Sequence, residues 1–403
     1  MTIPLIRPNP SRLSEAVSRL REIEDRAIFS NFGPVNSAFE QNMTDQIFGG
    51  VGECLTVCNA TIGLMIAIRQ ALESRPKSRR RYALMPSFTF AAASQAAQWN
   101  RLTPLFCDVN PSDWSADPAS ELRLLKKYRD DIAVVVPYAT FGYDIDLEWY
   151  ETIQREYDIP VVVDAAASLG TISANGQGFG AGFSGAVVYS MHVTKSFSTA
   201  EGGLIYSADS QRIRTLRSMS NFGFGEPRNA TLMGLNGKMP EVSALLANLR
   251  LENFDAVMQR RSQLAALYRE ALPELSFQPL KTHRQAHQFI STLLPREMAA
   301  FRTDIQIEMR RRGVESASYF SPHVAEQDYF RPHADLDSLP VTNDIASRVL
   351  TLPLYDTMTD EEVYEVVAAV KAAIFLAEQT LTSANWLTAT TSEDSHTSTA
   401  VAR

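Results

Sequence analysis

The sequence has few cysteines and offers no framework for disulfides. It contains Cys54, Cys58 and Cys107 among 403 residues. Three thiols of this kind are typical of a protein in a reducing compartment, so we expect a cytoplasmic location. Cys54 and Cys58 lie in an apolar strand-like string, and no second cysteine pair completes a zinc tetrahedron. We therefore interpret them as buried apolar residues and expect no metal site.

Excess positive charge and membrane-targeting segments are also missing. The formal net charge is −8, which disfavours a nucleic-acid partner because the phosphate backbone is itself negative. No apolar run reaches the roughly 20 residues of a transmembrane helix, and the N-terminus lacks the basic and apolar regions of a signal peptide. We expect no membrane attachment. The hydrophobic content of 45% and charged content of 21% are typical of a soluble globular protein.

Strand-like and helix-like strings alternate through the first half of the chain. Continuous apolar runs such as IAVVVPYA and PVVVDAA predict a mostly parallel sheet that is covered by helices on both faces, in an α/β fold. A long helical pattern from Glu241 to Leu272 follows, and then short strands mix with helices, which predicts a smaller C-terminal α+β domain.

The predicted organisation has four parts, because 403 residues exceed one ordinary core. Residues 1–30 form an N-terminal segment that packs with the small domain. Residues 31–255 form the large domain, and residues 256–380 form the small domain. The Ser/Thr-rich segment 381–403 is predicted to be a disordered tail.

A lone lysine between two strand-like runs is the most informative feature. The string SMHVTKSFSTAEGG, residues 190–203, places Lys195 among small and polar residues. Surface lysines rarely occupy such a position. Lys195 is therefore either an unusual lysine whose charge is satisfied by its neighbours or a nucleophilic amine. Such an amine forms an imine with an aldehyde, and the commonest biological aldehyde used in this way is pyridoxal 5'-phosphate (PLP).

Other candidate groups follow neighbouring predicted strands, where open parallel sheets bind ligands. Asp164 ends the apolar run 161–163, where a carboxylate can hold a pyridinium N–H. Ala60 and Thr61 begin a helix whose free N–H groups suit a phosphate, although a simple helix cap is the alternative. Phe90 can stack on a flat ring, with core packing as the alternative, and Ser190 ends the strand before Lys195.

The combined strings resemble the DegT/StrS family of sugar aminotransferases, within fold type I of PLP enzymes, over about residues 1–375. The resemblance rests on NFGPVNSAFE, TVCNATIGLMIAI, MPSFTFAAASQAAQWNRLTPLFCDVNPSDWSADP, VVPYATFGYDIDLEWYETIQREYDIPVVVDAAASLG, SMHVTKSFSTAEGG and GLNGKMPEVSALLANLRL. It implies a fold type I PLP-transferase that works as a homodimer with shared active sites.

The resemblance also implies site residues. Lys195 is the Schiff-base lysine and proton shuttle. Asp164 pairs with the pyridinium nitrogen, and Phe90 stacks on the ring. The phosphate is held by Ala60, Thr61 and Ser190, with Asn236 added across the dimer interface.

Three further positions bear on the substrate and on the cofactor. His192 is expected to line the sugar pocket, with simple packing as the alternative, and Tyr319 is a second candidate for substrate contact. Three residues after the acid, the family usually carries Gln or His against the ring oxygen of the cofactor. This chain has Ala167 there. That hydrogen bond is therefore missing, or a water or another side chain supplies it.

The implied reaction moves an amino group from an amino acid, in the family usually glutamate, to a keto-sugar. The expected acceptor is a nucleotide-linked 4-keto-6-deoxy or 3-keto hexose. Dehydratases of the family carry histidine in place of the lysine, so the intact Lys195 argues for transamination. Two alternatives stay open: transamination of a keto-cyclitol or another non-nucleotide ketone, and a non-catalytic PLP-binding regulator.

Overall fold

The computed structural model describes residues 2–73 and 80–394, with side chains described as far as residue 383. The strands are β1 (Glu53–Val57), β2 (Tyr82–Pro86), β3 (Thr103–Cys107), β4 (Ile132–Val135), β5 (Val162–Asp164), β6 (Ala186–Ser190), β7 (Gly203–Ser207), β8 (Ser276–Phe277), β9 (Ile290–Leu293), β10 (Asp335–Leu336) and β11 (Val349–Leu352).

The α-helices are α1 (Val17–Arg26), α2 (Pro34–Gln46), α3 (Ala60–Glu73), α4 (Ala91–Trp99), α5 (Pro118–Tyr128), α6 (Leu147–Thr152), α7 (Ser210–Met219), α8 (Glu241–Glu252), α9 (Phe254–Ala271), α10 (Arg302–Arg311), α11 (Pro340–Arg348) and α12 (Asp360–Asp394). A π-helical turn, Ile153–Tyr157, continues α6. Short 3-10 helices lie at Leu13–Glu15, Thr140–Gly142, Arg296–Phe301 and Val324–Glu326.

The large domain is built on one sheet in the order β1-β7-β6-β5-β4-β2-β3-β10. Its two halves meet through parallel bridges from Val135 to Val161 and from Tyr138 to Asp164. β7 runs antiparallel to β1 and β6, and the other pairings recorded within this sheet are parallel. The prediction of a mostly parallel α/β sheet is confirmed.

Helices cover both faces of this sheet. Along β2, Ala83 and Met85 pack into the hydrophobic cluster on one face, and Leu84 packs into the cluster on the other face. Successive strand residues point to opposite sides, so a strand that is covered twice needs apolar residues at every position. This requirement explains the uninterrupted apolar runs of the sequence.

The small domain has its own core around the antiparallel strands β11-β9-β8. Ile3 joins this core, and its backbone pairs with the residues on either side of Val314. The first part of α12, Asp360–Ser383, is long and apolar enough to cross a membrane by length and composition alone. Its valines at 363, 366 and 370 nevertheless pack into the small-domain core, as a core helix does.

Three local features differ from the sequence-based expectations. The pattern from Glu241 to Leu272 forms two helices, because the chain breaks at Asn253, a residue type that favours helix ends over helix interiors. Cys58 lies beyond β1 and is only half-buried, whereas Cys54 and Cys107 are buried. The last helix continues to Asp394, into the segment that was predicted as a tail, and residues 395–403 lie outside the described part. The domain boundaries stay predictions.

A buried glutamate joins α2 to α8. The two carboxylate oxygens of Glu241 accept the N–H groups of Val35 (2.8 Å) and Asn36 (3.0 Å) at the start of α2. Pro34 has no N–H, so the carboxylate serves the first two N–H groups of the helix that are available. A Cβ at Gly33 would lie 2.6 Å from the Glu241 carboxyl carbon, which explains the Gly-Pro pair.

We expect Glu241→Ala to lower the free energy of unfolding by about 1–3 kcal/mol, because two buried N–H groups lose a charged acceptor. Urea denaturation of the cofactor-free protein at fixed protein concentration measures this loss. The control is Glu252→Ala on the same helix, where an exposed pair with Arg19 is worth about 0–1 kcal/mol. Equal losses in the two variants would contradict the capping role.

Candidate active site

The side chains of Lys195 and Asp164 lie close together at the carboxyl ends of β5 and β6. Asp164 is the last residue of β5, and Lys195 follows β6 in a tight loop in which its own N–H bonds to the His192 carbonyl at 2.8 Å. The Lys195 amine donates a hydrogen bond to Oε1 of Gln288 at 3.1 Å. The Asp164 carboxylate accepts the Ala166 N–H at 3.1 Å. Lys195 and Asp164 are therefore close enough for their charges to interact, while each is hydrogen-bonded to a different residue.

Burial moves both groups towards their neutral forms. It lowers the pKa of Lys195 to about 8, and the Asp164 charge offsets part of that shift. Burial raises the pKa of Asp164 to about 6, against the Ala166 N–H and the Lys195 charge, which lower it. An amine with a pKa near neutrality serves both as a nucleophile and as a proton carrier.

The start of α3 forms a cradle with β6 and β7. The Asn59 side chain caps the helix by accepting the Ile62 N–H at 2.9 Å. The N–H groups of Ala60 and Thr61, in the first turn, have no intrahelical partner. Gly203 opposes Ser190 in the sheet, and a Cβ there would lie 2.8 Å from the Ala60 nitrogen. The start of α3 therefore lies close to the end of β6 that carries Ser190, and the N-terminus of a helix suits an anion.

The predicted Asn236 lies on a loop next to this cradle. The carbonyl of the following residue, Gly237, accepts the Cys58 N–H at 2.7 Å, and Asn236 itself pairs with Asn221 as an isolated bridge. Asn236 is exposed in the single chain. Its side chain is therefore accessible to a second subunit.

Aromatic rings line another side of the site. Phe90 is 62% exposed, whereas Phe88, two residues earlier, is 0% exposed and packs in the core. The Phe90 ring lies 6.5 Å from that of Phe320, which in turn lies 6.0 Å from the ring of Tyr138. Tyr138 pairs with Asp164 across the sheet. Phe90 thus offers an open aromatic face at the site.

The two candidate substrate residues lie in different surroundings. Nδ1 of His192 shares a hydrogen bond with the Thr194 hydroxyl (2.8 Å), and its Nε2 lies 3.5 Å from Glu201. The Tyr319 ring lies 5.1 Å from that of Phe289, the neighbour of Gln288. Tyr319 therefore belongs to the aromatic cluster, while His192 is held by polar groups at the rim.

Sequence reasoning missed Gln288 and Phe320. Gln288 is 5% exposed and lies in the string QAHQFISTLL, directly before Phe289 and Ile290, so its burial was the feature that the local sequence did not reveal. Ala167, where the family usually has Gln or His, is 2% exposed. Within residues 2–73 and 80–394, no group of three or more His, Cys, Asp or Glu side chains is placed to hold a metal ion.

We expect the cofactor-free protein to show the lowered pKa of Lys195 as labelling by an amine-reactive reagent that is half-maximal near pH 8. Exposed lysines have a pKa of about 10.4. Asp164→Asn should lower the midpoint further, because the lost negative charge had favoured the ammonium form. Mass spectrometry across a pH series measures both midpoints. Asp255→Asn, at an exposed carboxylate, is the control, and an unchanged or raised midpoint in Asp164→Asn would contradict the assignment.

Comparisons with known proteins agree with this geometry. The model of the DegT/DnrJ/EryC1/StrS aminotransferase family matches residues 10–371. A crystal structure from Bacillus cereus ATCC 10987, described as a PLP-dependent aminotransferase, has a TM-score of 0.87 and 36% identity, over 92% of this chain and 100% of that one. The crystal structure of DesI with its TDP-sugar product has a TM-score of 0.82 and 27% identity, over 94% of this chain and 95% of that one.

A curated relative carries a named activity. The dTDP-4-amino-4,6-dideoxy-D-glucose transaminase of Escherichia coli is 26% identical over 380 residues, which cover 91% of this chain and 97% of that enzyme. The family match spans nearly the whole chain and includes Lys195, Asp164 and the start of α3. This protein is therefore a member of the DegT/DnrJ/EryC1/StrS aminotransferase family, and that membership makes it an aminotransferase and implies PLP as its cofactor.

Proposed function

We propose that this aminotransferase moves an amino group from an amino acid, glutamate in the first instance, to a nucleotide-linked keto-sugar. The observation that carries the proposal is the half-buried Lys195 amine beside Asp164, at the strand ends that also meet the start of α3. This arrangement provides an amine, a carboxylate and an anion cradle at one edge of the sheet.

The site fits PLP at each of the positions that the cofactor needs. The cradle of Ala60, Thr61 and Ser190 would hold the phosphate, Asp164 would hold the ring nitrogen, and the exposed face of Phe90 would cover the ring. A Cβ at Gly203 would collide with the backbone of Asn59 and Ala60, so the glycine allows β7 to lie close to the start of α3. When bound, PLP supplies an electron sink that stabilises negative charge at the reacting carbon.

The protein's own contribution is to hold and move protons. Lys195, with a pKa of about 8, has an appreciable neutral fraction near neutral pH and accepts a proton from the carbon next to the amino group. Asp164 would keep a negative charge beside the ring nitrogen of the bound cofactor and so favour the protonated ring. Phe90 would exclude water from one face of that ring. Together these groups place the base and the counter-charge before reaction.

Relatives support the choice of substrate class. The E. coli relative is named for a dTDP-linked amino-deoxy sugar, and the DesI structure holds its TDP-sugar product. Both proteins match more than nine-tenths of this chain. We therefore propose a nucleoside-diphosphate keto-hexose as the acceptor, and glutamate as the donor.

We also propose a cytoplasmic location for the enzyme. Cys54, Cys58 and Cys107 are free thiols, and reducing compartments keep thiols free.

The first test is spectroscopic. We expect the protein reconstituted with PLP to absorb in the visible range and to lose that band when glutamate is added. Lys195→Ala should lack the lysine-linked band and lose more than about a hundredfold in turnover, since general-base catalysis contributes about that much or more. Lys127→Ala, at an exposed lysine that packs on Tyr128, is the control. A wild-type spectrum that no amino donor alters would refute amino transfer.

The amino acceptor is tested with enzyme that has first been treated with glutamate and has lost its visible band. We expect dTDP-, UDP- or GDP-linked keto-sugars to restore the visible band, while keto-cyclitols at the same concentration leave it absent. Rapid-mixing absorbance at fixed enzyme concentration measures each rate of return. Faster return with a keto-cyclitol would reverse the assignment of the substrate class.

We further propose a homodimer in which Asn236 contacts the phosphate in the neighbouring subunit's site. Two observations support this proposal. Asn236 is exposed in the single chain, and its loop is fixed beside the cradle through the Gly237 carbonyl. An accessible side chain at this position can reach the cradle of a second copy of the chain.

Subunit mixing tests that arrangement. We expect Lys195→Ala and Asn236→Ala proteins to be weakly active alone at limiting PLP, and to regain activity when they are unfolded together and refolded. Each mixed dimer then has one site with both residues intact. Asn229→Ala, at an exposed residue of the same loop, replaces Asn236→Ala in the control and should be active without mixing. No gain on mixing would place Asn236 in the site of its own chain.

A further inference from the structure

Position 167 leaves the wall of the site without a polar side chain. Ala167 is 2% exposed, and its methyl group cannot donate a hydrogen bond to a ligand. In PLP the phenolic oxygen is on the ring carbon next to the aldehyde. A donor to that oxygen must therefore lie close to the amine that reacts with the aldehyde, namely the amine of Lys195.

A segment from the small-domain side packs directly beside Ala167. At Gly142, where φ is +97°, a Cβ would lie 2.7 Å from the Ala167 carbonyl oxygen and 3.0 Å from the Ala286 side chain. Gly142 therefore lets the segment around Ala286 approach residue 167. The Ala286 N–H donates to the Thr171 hydroxyl at 3.0 Å, which fixes this contact.

The same segment is held rigidly as far as Gln288. Arg261, which is 4% exposed, donates to the His287 carbonyl at 3.0 Å and to the Gln288 carbonyl at 2.9 Å. The Gln288 N–H donates to the Phe141 carbonyl at 3.4 Å. The backbone of Gln288 is thus held through both its carbonyl and its N–H. These contacts fix the position from which the side-chain amide extends.

The Gln288 amide reaches the reactive amine. Its Oε1 accepts the Lys195 ammonium at 3.1 Å. Within the described residues its Nε2 donor has no recorded hydrogen bond, and Nε2 is not among the buried atoms that lack a partner. One side of the amide is therefore used by Lys195, and the other side is left to face the site.

Other polar atoms nearby are sealed from the site. The hydroxyls of Ser168 and Thr89 and Nδ1 of His287 are buried and have no partner in the described part of the chain. An atom that water cannot reach in the open pocket cannot contact a ligand there without rearrangement. Of these neighbours, Gln288 is the one whose contact with the Lys195 amine the structure records.

We propose that Gln288 donates the hydrogen bond to the cofactor's ring oxygen that Ala167 cannot make, so that a small-domain residue takes over a large-domain role. This inference rests on the proposed PLP-dependent function and concerns the same site. Gln288 acts as a positioning residue on the Lys195 amine and as a direct contact to the cofactor. Its donor competes with the imine proton for the ring oxygen and so lowers the pKa of the lysine-linked chromophore.

The test is a pH titration of the visible spectrum of the PLP-bound protein without an amino donor. We expect Gln288→Leu, which nearly keeps the volume, and Gln288→Ala to raise the midpoint by about one pH unit. Gln285→Ala is the matched control. Gln285 lies three residues earlier in the same segment and is also buried, and its side-chain Oε1 accepts the Thr282 hydroxyl. Its midpoint should equal that of the wild type.

Rescue and a cofactor-free readout complete the design. Ala167→Gln in the Gln288→Ala background should return the midpoint towards the wild-type value. In the cofactor-free protein, Gln288→Leu should lower the labelling midpoint of Lys195, because the ammonium loses an acceptor. Equal chromophore midpoints in wild type, Gln288→Leu and Gln288→Ala would overturn the inference. A wild-type protein that responds to glutamate at the same time leaves the proposed function standing, whereas a wild type without a PLP spectrum overturns both.

Discussion

The site depends on a buried carboxylate, Asp164, and a half-buried amine, Lys195, that influence each other while each is hydrogen-bonded to a different residue. Burial raises the pKa of Asp164 and lowers that of Lys195, and each charge offsets only part of the shift in the other. A fully bonded ion pair would leave neither group free for a ligand. Because the two groups find other hydrogen-bond partners, Ala166 and Gln288, neither is tied to the other, as the proposed PLP site requires.

The sheet topology delivers these groups to one place. β5 and β6 are parallel neighbours, so Asp164 and Ser190 come out at the same edge. β7 runs against them and begins at this edge with Gly203, whose missing side chain lets the strand approach the start of α3. β1 is antiparallel to β7 and so runs in the same direction as β5 and β6, which brings the start of α3, just after β1, to the edge where those strands end. The Glu241 cap then ties α2 to α8, just after the loop that carries Asn236.

The parts of the site that lie in continuous strings could be predicted from sequence. Lys195, Asp164 and the start of α3 each follow a recognisable strand, and parallel strands share the edge at which they end. Gln288 could not be predicted, because 93 residues separate it from Lys195 and nothing in its neighbourhood specifies that contact. The break at Asn253 likewise depends on packing against distant segments. Local sequence patterns determine the helices and strands, whereas contacts between distant segments complete the site.

The position of Gln288 links the chemistry of the large domain to the packing of the small domain. Arg261 holds the backbone of Gln288 and also donates to the Leu354 carbonyl at 3.1 Å, close to the end of β11. A shift of β11 or α9 would therefore move the amide that contacts Lys195. With a polar residue at position 167, the donor would sit on the loop that follows Asp164 and would not depend on such movement. With Ala167 and the proposed donor Gln288, that hydrogen bond instead depends on the two domains keeping their relative position. Substitutions in the small-domain core should therefore change the titration of Lys195 even where they touch no part of the site.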